Sequence, residues 1–104
     1  MYARVSTIQG PTDRMDEGID TMRENILPAV KQIDGFKGVL NLIDRQTGKG
    51  LVVTLWETEE ALKTSEEQAN QLRRQAAESI GATSEPTVER YEVAMYEVEA
   101  PITV

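Results

Sequence analysis

Four side chains stand out for chemistry: Asn41, Trp56, Tyr91 and Tyr96. Asn41 interrupts the apolar run GVLNLID, and a buried amide needs partners. It either bonds within the protein or offers its N–H to a ligand oxygen, and in the second role it is the residue best suited to steady a developing anion. Trp56 closes the run LVVTLW and is the only tryptophan of the chain. It reads as a core aromatic or as the wall of a site for a flat ligand, its indole N–H directed at a ligand oxygen. Tyr91 and Tyr96 can donate a hydrogen bond or relay a proton. Five positions apart in one strand they face opposite ways, so at most one reaches a given pocket, the other reading being dimer contact and core. Arg73 and Arg74 can hold an acidic ligand at a pocket mouth or lie in solvent, Arg74 being spaced to pair with Glu78. Met15, Met22 and Met95 line a deformable cavity or fill ordinary core.

Other chemistry is closed to this chain. It has no cysteine and no histidine, which removes disulfides, thiolate nucleophiles, Cys/His zinc sites, Ser-His triads and histidine-ligated haem. Side-chain acids and bases reduce to Asp, Glu, Lys and Tyr. A net charge of -7 opposes nucleic-acid phosphates and anionic membrane surfaces as partners. The opening MYARVSTI has neither a charged n-region nor a long apolar h-region, and no apolar run approaches a membrane span, so a cytoplasmic protein is expected. The acidic run Glu57, Glu59, Glu60, Glu66 and Glu67 lacks metal-ligand spacing and reads as a capped, solvated surface.

Positioning these residues requires a small set of elements. Tyr2 to Ile8 is rich in β-formers and is closed by Gly10-Pro11; Tyr2 shares a face with Arg4, Ser6 and Ile8 and is read as partly exposed. Thr12 is a plausible N-cap for a helix whose inward face is Met15, Ile19, Met22, Ile26, Val30 and Ile33. Pro28 cannot donate to the carbonyl of Glu24, so a kink or break is expected near Asn25 to Leu27. Phe36 to Asp44 and Lys49 to Trp56 form a hairpin around Arg45 to Gly48, with Gly48 at positive φ. Thr58 caps a second helix that runs to Gly81, its inward stripe being Ala61, Leu62, Ser65, Ala69, Leu72, Ala76 and Ile80. Thr87 to Val98 is the last strand, so residues 1–98 form one domain and residues 99–104 a tail.

The order β-α-β-β-α-β predicts an α+β, ferredoxin-like fold: a four-stranded antiparallel sheet with two helices on one face. With Asn41 opposite Val52, one hairpin face carries Val39, Asn41, Ile43, Val52, Thr54 and Trp56, and the other carries Leu40, Leu42, Leu51, Val53 and Leu55. Two helices cover one set. The other is too large an apolar patch for a monomer, which predicts a homodimer through the sheet faces.

The segment ILPAVKQIDGFKG, an apolar strand, DRQTGKG, a strand ending TLWETEEAL, and a helix of small residues together resemble the antibiotic biosynthesis monooxygenase-like superfamily of dimeric α+β barrels. The resemblance spans about Tyr2 to Val98. It implies that fold, a dimer, and a pocket between sheet and helices. The haem-degrading branch uses a pocket histidine, a first-strand asparagine and a second-helix tryptophan; this chain has no histidine, carries Ser6 and Thr7 in its first strand, and Ser65 in its helix. In the polyphenol-oxidising branch the deprotonated substrate supplies the electrons to dioxygen, so no cofactor is expected. The resemblance thus implies a cofactor-independent monooxygenase for an aromatic phenol or quinol, Asn41 polarising the oxygen, Trp56 walling the ring and Tyr91 or Tyr96 handling a proton. The alternative is a dimeric module that binds a small ligand or a partner without turnover.

Overall fold

Strand alternation and turn chemistry set the sheet in this computed structural model, which describes residues 1–99. Strands β1 (Tyr2–Gln9), β2 (Phe36–Asp44), β3 (Lys49–Trp56) and β4 (Thr87–Glu92) form one antiparallel sheet in the order β2-β3-β1-β4. Asn41 pairs with Val52 and Val39 with Thr54, the register assumed for the hairpin. The hairpin turn closes at Gly48, whose φ of 80° favours glycine, and whose carbonyl accepts from the Gly10 amide at 3.0 Å. This ties the turn to the end of β1.

The last strand is shorter than its residues suggest. Among the described residues β4 is an edge strand that pairs with β1 alone, and β1 begins at Tyr2, opposite Glu92. One further backbone bond, from Val93 to Met1, uses up the partner. Tyr96 consequently lies beyond the strand, exposed. The proposed tail falls, apart from Glu99, outside the described residues.

Six segments build the two helical layers: a 3-10 turn (Thr12–Arg14), α1 (Met15–Thr21), a π-helical turn (Met22–Ile26), α2 (Leu27–Val30), and the pair α3 (Glu59–Thr64) and α4 (Glu66–Ser79). Thr12 caps nothing; the chain enters through Pro11, whose carbonyl accepts from Arg14 N, and neither the turn nor α1 has a side-chain cap. The interruption expected near Asn25 to Leu27 takes the form of a π turn, after which Leu27–Val30 is a separate short helix with Pro28 in its first turn. The wide π turn just before it absorbs the missing donor, and the backbone stays right-handed helical on both sides. It also keeps Met22, Ile26 and Val30 in line, since three residues spaced by four drift by about 40° per step on a regular α-helix. Thr58 does cap α3, its hydroxyl accepting from Ala61 N at 3.0 Å, and Gly81 ends α4 with φ 65°.

Both helical layers lie on the face of Arg4, Ser6, Ile8 and Trp56. The core there has two parts, Ile8 with Ile26, Ala76 and Ala77, and Trp56 with Val30 and Leu62, with Leu72 packed against both. Each such fully buried large side chain contributes about 1.5–3 kcal/mol. The opposite face is bare: Leu40 is 57% and Leu42 47% exposed. Its cross-strand rows run Tyr91, Ala3, Leu55; Glu89, Val5, Val53, Leu40; and Thr87, Thr7, Leu51, Leu42. Among the described residues no helix is long and apolar enough to cross a membrane.

Candidate functional site

A cavity of about 50 Å³ lies between sheet and helices, walled by Val39, Val52, Ile26, Val30 and Leu72 with Arg4 and Arg73 among its lining. A second, also about 50 Å³, adjoins it and is lined by Met15, Ile19, Asn41 and Ile43. Ile8, Met22, Val52 and Ala76 line both, so they form the partition. Each has room for a few waters. Neither holds a fused-ring ligand as it stands.

Arg4 is the unusual residue. It sits on β1 between Ala3 and Val5, its side chain turned to the helices and only 2% exposed. Its Nη2 donates to the Leu62 carbonyl at 2.5 Å, Ser65 Oγ at 3.0 Å and Glu66 Oε2 at 2.8 Å. Its guanidinium lies 5.3 Å from the Trp56 ring centroid, a cation–π contact. Nε and Nη1 are buried with no hydrogen-bond partner among the described residues. Such orphaned donors cost about 1–3 kcal/mol each, which makes them conspicuous in a folded protein.

Around Arg4 the sequence assembles a charged cluster from three elements. Glu66, at the start of α4, accepts from Arg4 and from Arg90 on β4. Partial burial pushes its carboxyl up, but the hydrogen bonds and charges of Arg90 and Arg4 together outweigh this and hold it below the ordinary value. Arg73, on α4, donates Nε to Ser6 Oγ at 3.0 Å and Nη1 to Asn70. Burial, then the charge of Arg4, lowers its pKa. It is half-buried rather than lying in solvent, while Arg74 is exposed.

The four expected residues are not brought together. Trp56 is wholly buried, edge-on to Phe36 at 5.9 Å, and gives its indole N–H to Thr54 Oγ1 at 2.9 Å. That N–H is therefore engaged within the protein. Asn41 is exposed rather than buried as expected, at the rim of the adjoining cavity and on the face shared with Trp56. Tyr91 points away from both cavities, exposed on the bare sheet face, and its hydroxyl donates to Glu89 at 2.7 Å; this contact and partial burial raise its pKa. Tyr96 is off the strand altogether. Met22 is in the partition, Met15 in the second cavity, and Met95 is exposed at 83%. The residue missed from sequence is Arg4, and its signal was there: a cation at an inward position, two before Ser6 and four before Ile8.

The fold has known counterparts. A monooxygenase of Streptomyces coelicolor, ActVA-Orf6, solved with nanaomycin D, superposes with a TM-score of 0.75 over 95% of this chain and 92% of that one, at 12% identity. The haem degrader MhuD of Mycobacterium tuberculosis, solved with two haems, gives 0.73 over 94% and 100%, at 21% identity. A structure described as an antibiotic biosynthesis monooxygenase gives 0.66 over 91% and 100%, at 14% identity. The chain has the fold of the antibiotic biosynthesis monooxygenases. By sequence it is 42% identical over 94 residues to Rv2557 and 35% over 101 residues to Rv2558, both uncharacterized proteins of Mycobacterium tuberculosis. It covers 90% and 97% of its own length in these matches, but spans only 41% and 42% of those relatives. No protein-family model matches the chain.

Proposed function

We propose that this domain is a cofactor-independent oxygenase that takes a small phenol or quinol into the cavity between sheet and helices. The observation that carries the reading is Arg4, a buried cation with two unpartnered N–H donors that lines a mostly apolar space. Phenol ionisation is unfavourable in such a space without a fixed positive charge, and a preorganised guanidinium supplies it without solvent reorganisation. The electron-rich phenolate then reduces dioxygen. One oxygen atom enters the ring, the other leaves as water, and the two electrons and two protons come from the substrate itself. Asn41 meets the far end of the ligand from the second cavity. Met22 swings aside to join the two spaces, a motion suited to its unbranched side chain.

The structural counterparts support this reading by fold, ActVA-Orf6 through its name as a monooxygenase. The bare sheet face completes it: a second copy, sheet on sheet, buries Leu40, Leu42, Val53 and Leu55 of each chain and makes a homodimer. Location in the cytoplasm belongs to the same proposal.

Oxygen uptake with a panel of hydroquinones, naphthols and anthrones tests the chemistry. Consumption that needs no added metal or cofactor and falls at least about tenfold in Arg4→Met supports it. No turnover, together with no thermal shift by any panel member, refutes it. The small size of the cavities favours one second reading, a dimeric ligand-binding or interaction module without turnover, which that same result would leave standing.

A further inference from the structure

The charge cluster beside the cavity is unbalanced. Arg4, Arg73 and Arg90 face a single carboxylate, Glu66, and Arg90 and Arg4 already share it. Among the described residues this cluster holds two more positive charges than negative ones, and two of its arginines, Arg4 and Arg73, line one mostly apolar cavity in a chain whose net charge is -7. Arg4 and Arg73 are linked through β1: Ser6, the next inward residue after Arg4, accepts from Arg73 Nε at 3.0 Å. Both arginines line the same space. Burying a cation beside another cation is unfavourable unless an anion joins them. One phenolate neutralises one charge and leaves the other.

We propose that the ligand is an aromatic acid, a hydroxylated aryl carboxylate whose ring lies against Val30, Val52 and Leu72 while its carboxylate sits at the Arg4–Arg73 end of the cavity. This deepens the oxygenase reading and rests on it for the reacting hydroxyl, but not for the carboxylate. The unpartnered Nε and Nη1 of Arg4 become donors to carboxylate oxygens, and guanidinium–carboxylate contacts are among the strongest hydrogen bonds available to a protein.

Calorimetric titration of 4-hydroxybenzoate and 4-hydroxybenzamide, two probes of nearly equal shape, tests the inference without requiring turnover. The acid should bind the wild-type chain at least about tenfold more tightly than the amide, the margin of one charge-assisted contact. Arg73→Gln should erase most of that preference, and Arg73→Lys, which keeps the charge, should restore part of it. Circular dichroism melts of the three proteins identify any variant that fails to fold, and Arg4→Met then serves in place of Arg73→Gln. Equal affinities for acid and amide overturn the inference, as does a preference that survives in both Arg73→Gln and Arg4→Met, or absence of binding by either probe at millimolar concentration. Neutral phenols oxidised as well as acids would overturn it while leaving the oxygenase reading intact. Tight, arginine-dependent acid binding with no oxygen consumed would do the reverse.

Discussion

Arg4→Met separates an arginine kept for function from one kept for stability. The substitution removes the hydrogen bonds from Nη2 to Glu66, Ser65 and Leu62, of which the charged one is worth about 1.5–3 kcal/mol, and a stack on Trp56 worth about 0.5–2 kcal/mol. Its partners are not stranded. Ser65 Oγ still donates to the Leu62 carbonyl at 2.9 Å, and Glu66 keeps Arg90. Against this loss stands the end of two buried, unpartnered nitrogens, each costing about 1–3 kcal/mol, and methionine fills much of the same apolar volume. The two sides nearly cancel. Urea denaturation followed by circular dichroism should therefore place the variant within about 1 kcal/mol of wild type, a shift of no more than about 4–8 °C in Tm, while binding of phenols and aryl acids collapses. A loss of about 3–5 kcal/mol, typical of breaking a buried ion pair that holds a fold together, would refute the reasoning and make Arg4 a structural strut.

Other perturbations read different parts of the molecule. Val53→Lys puts a charge in the central row of the bare sheet face, and sedimentation equilibrium should find a monomer, or the chain should be insoluble; a soluble dimer would contradict the sheet-on-sheet assembly. Gly48→Ala drives a Cβ into the Gly10 carbonyl oxygen at a φ of +80°, so it should lower stability by at least about 1–3 kcal/mol in denaturant melts; an unchanged midpoint would show that the turn is not held there. The Glu66 carboxyl is held below its ordinary value of 4.5 in the folded protein, so the stability it contributes is present above that value and is lost as pH falls through its folded pKa. Urea midpoints measured between about pH 6 and about pH 3 should fall less steeply in Glu66→Gln than in wild type; parallel slopes would mean that the pair with Arg4 and Arg90 carries no pH-linked stability.

The hairpin was legible from sequence because its constraints are local. Alternation over GVLNLID and GLVVTLW, with Gly48 as the only residue fit for positive φ in the turn, locates both strands and the turn, and the assumed register with Asn41 opposite Val52 is the one they adopt. The stripe Leu62, Ser65, Ala69, Leu72 and Ala76 was legible for the same reason, since periodicity is read from neighbours. What failed depended on partners distant in sequence. The end of β4 is set by where β1 starts, so Tyr96 could not be excluded from the strand by its own neighbours. Thr12 satisfies a local capping rule, but the path through Pro11 turns the chain before a cap can form. Arg4 is the instructive case: its inward parity was visible, but its burial against Trp56, Ser65 and Glu66 requires β1 to lie between β3 and β4, which no short-range pattern declares.

The stacking of Arg4 on Trp56 has an optical consequence. The chain's one indole is sealed from water, bonded to Thr54, and placed 5.3 Å beneath a positive charge. Its emission reports the electric field of that charge without interference from a second tryptophan. An anion that draws the guanidinium toward the cavity weakens the field at the ring, so the protein carries its own fluorophore for whatever occupies the space beside it.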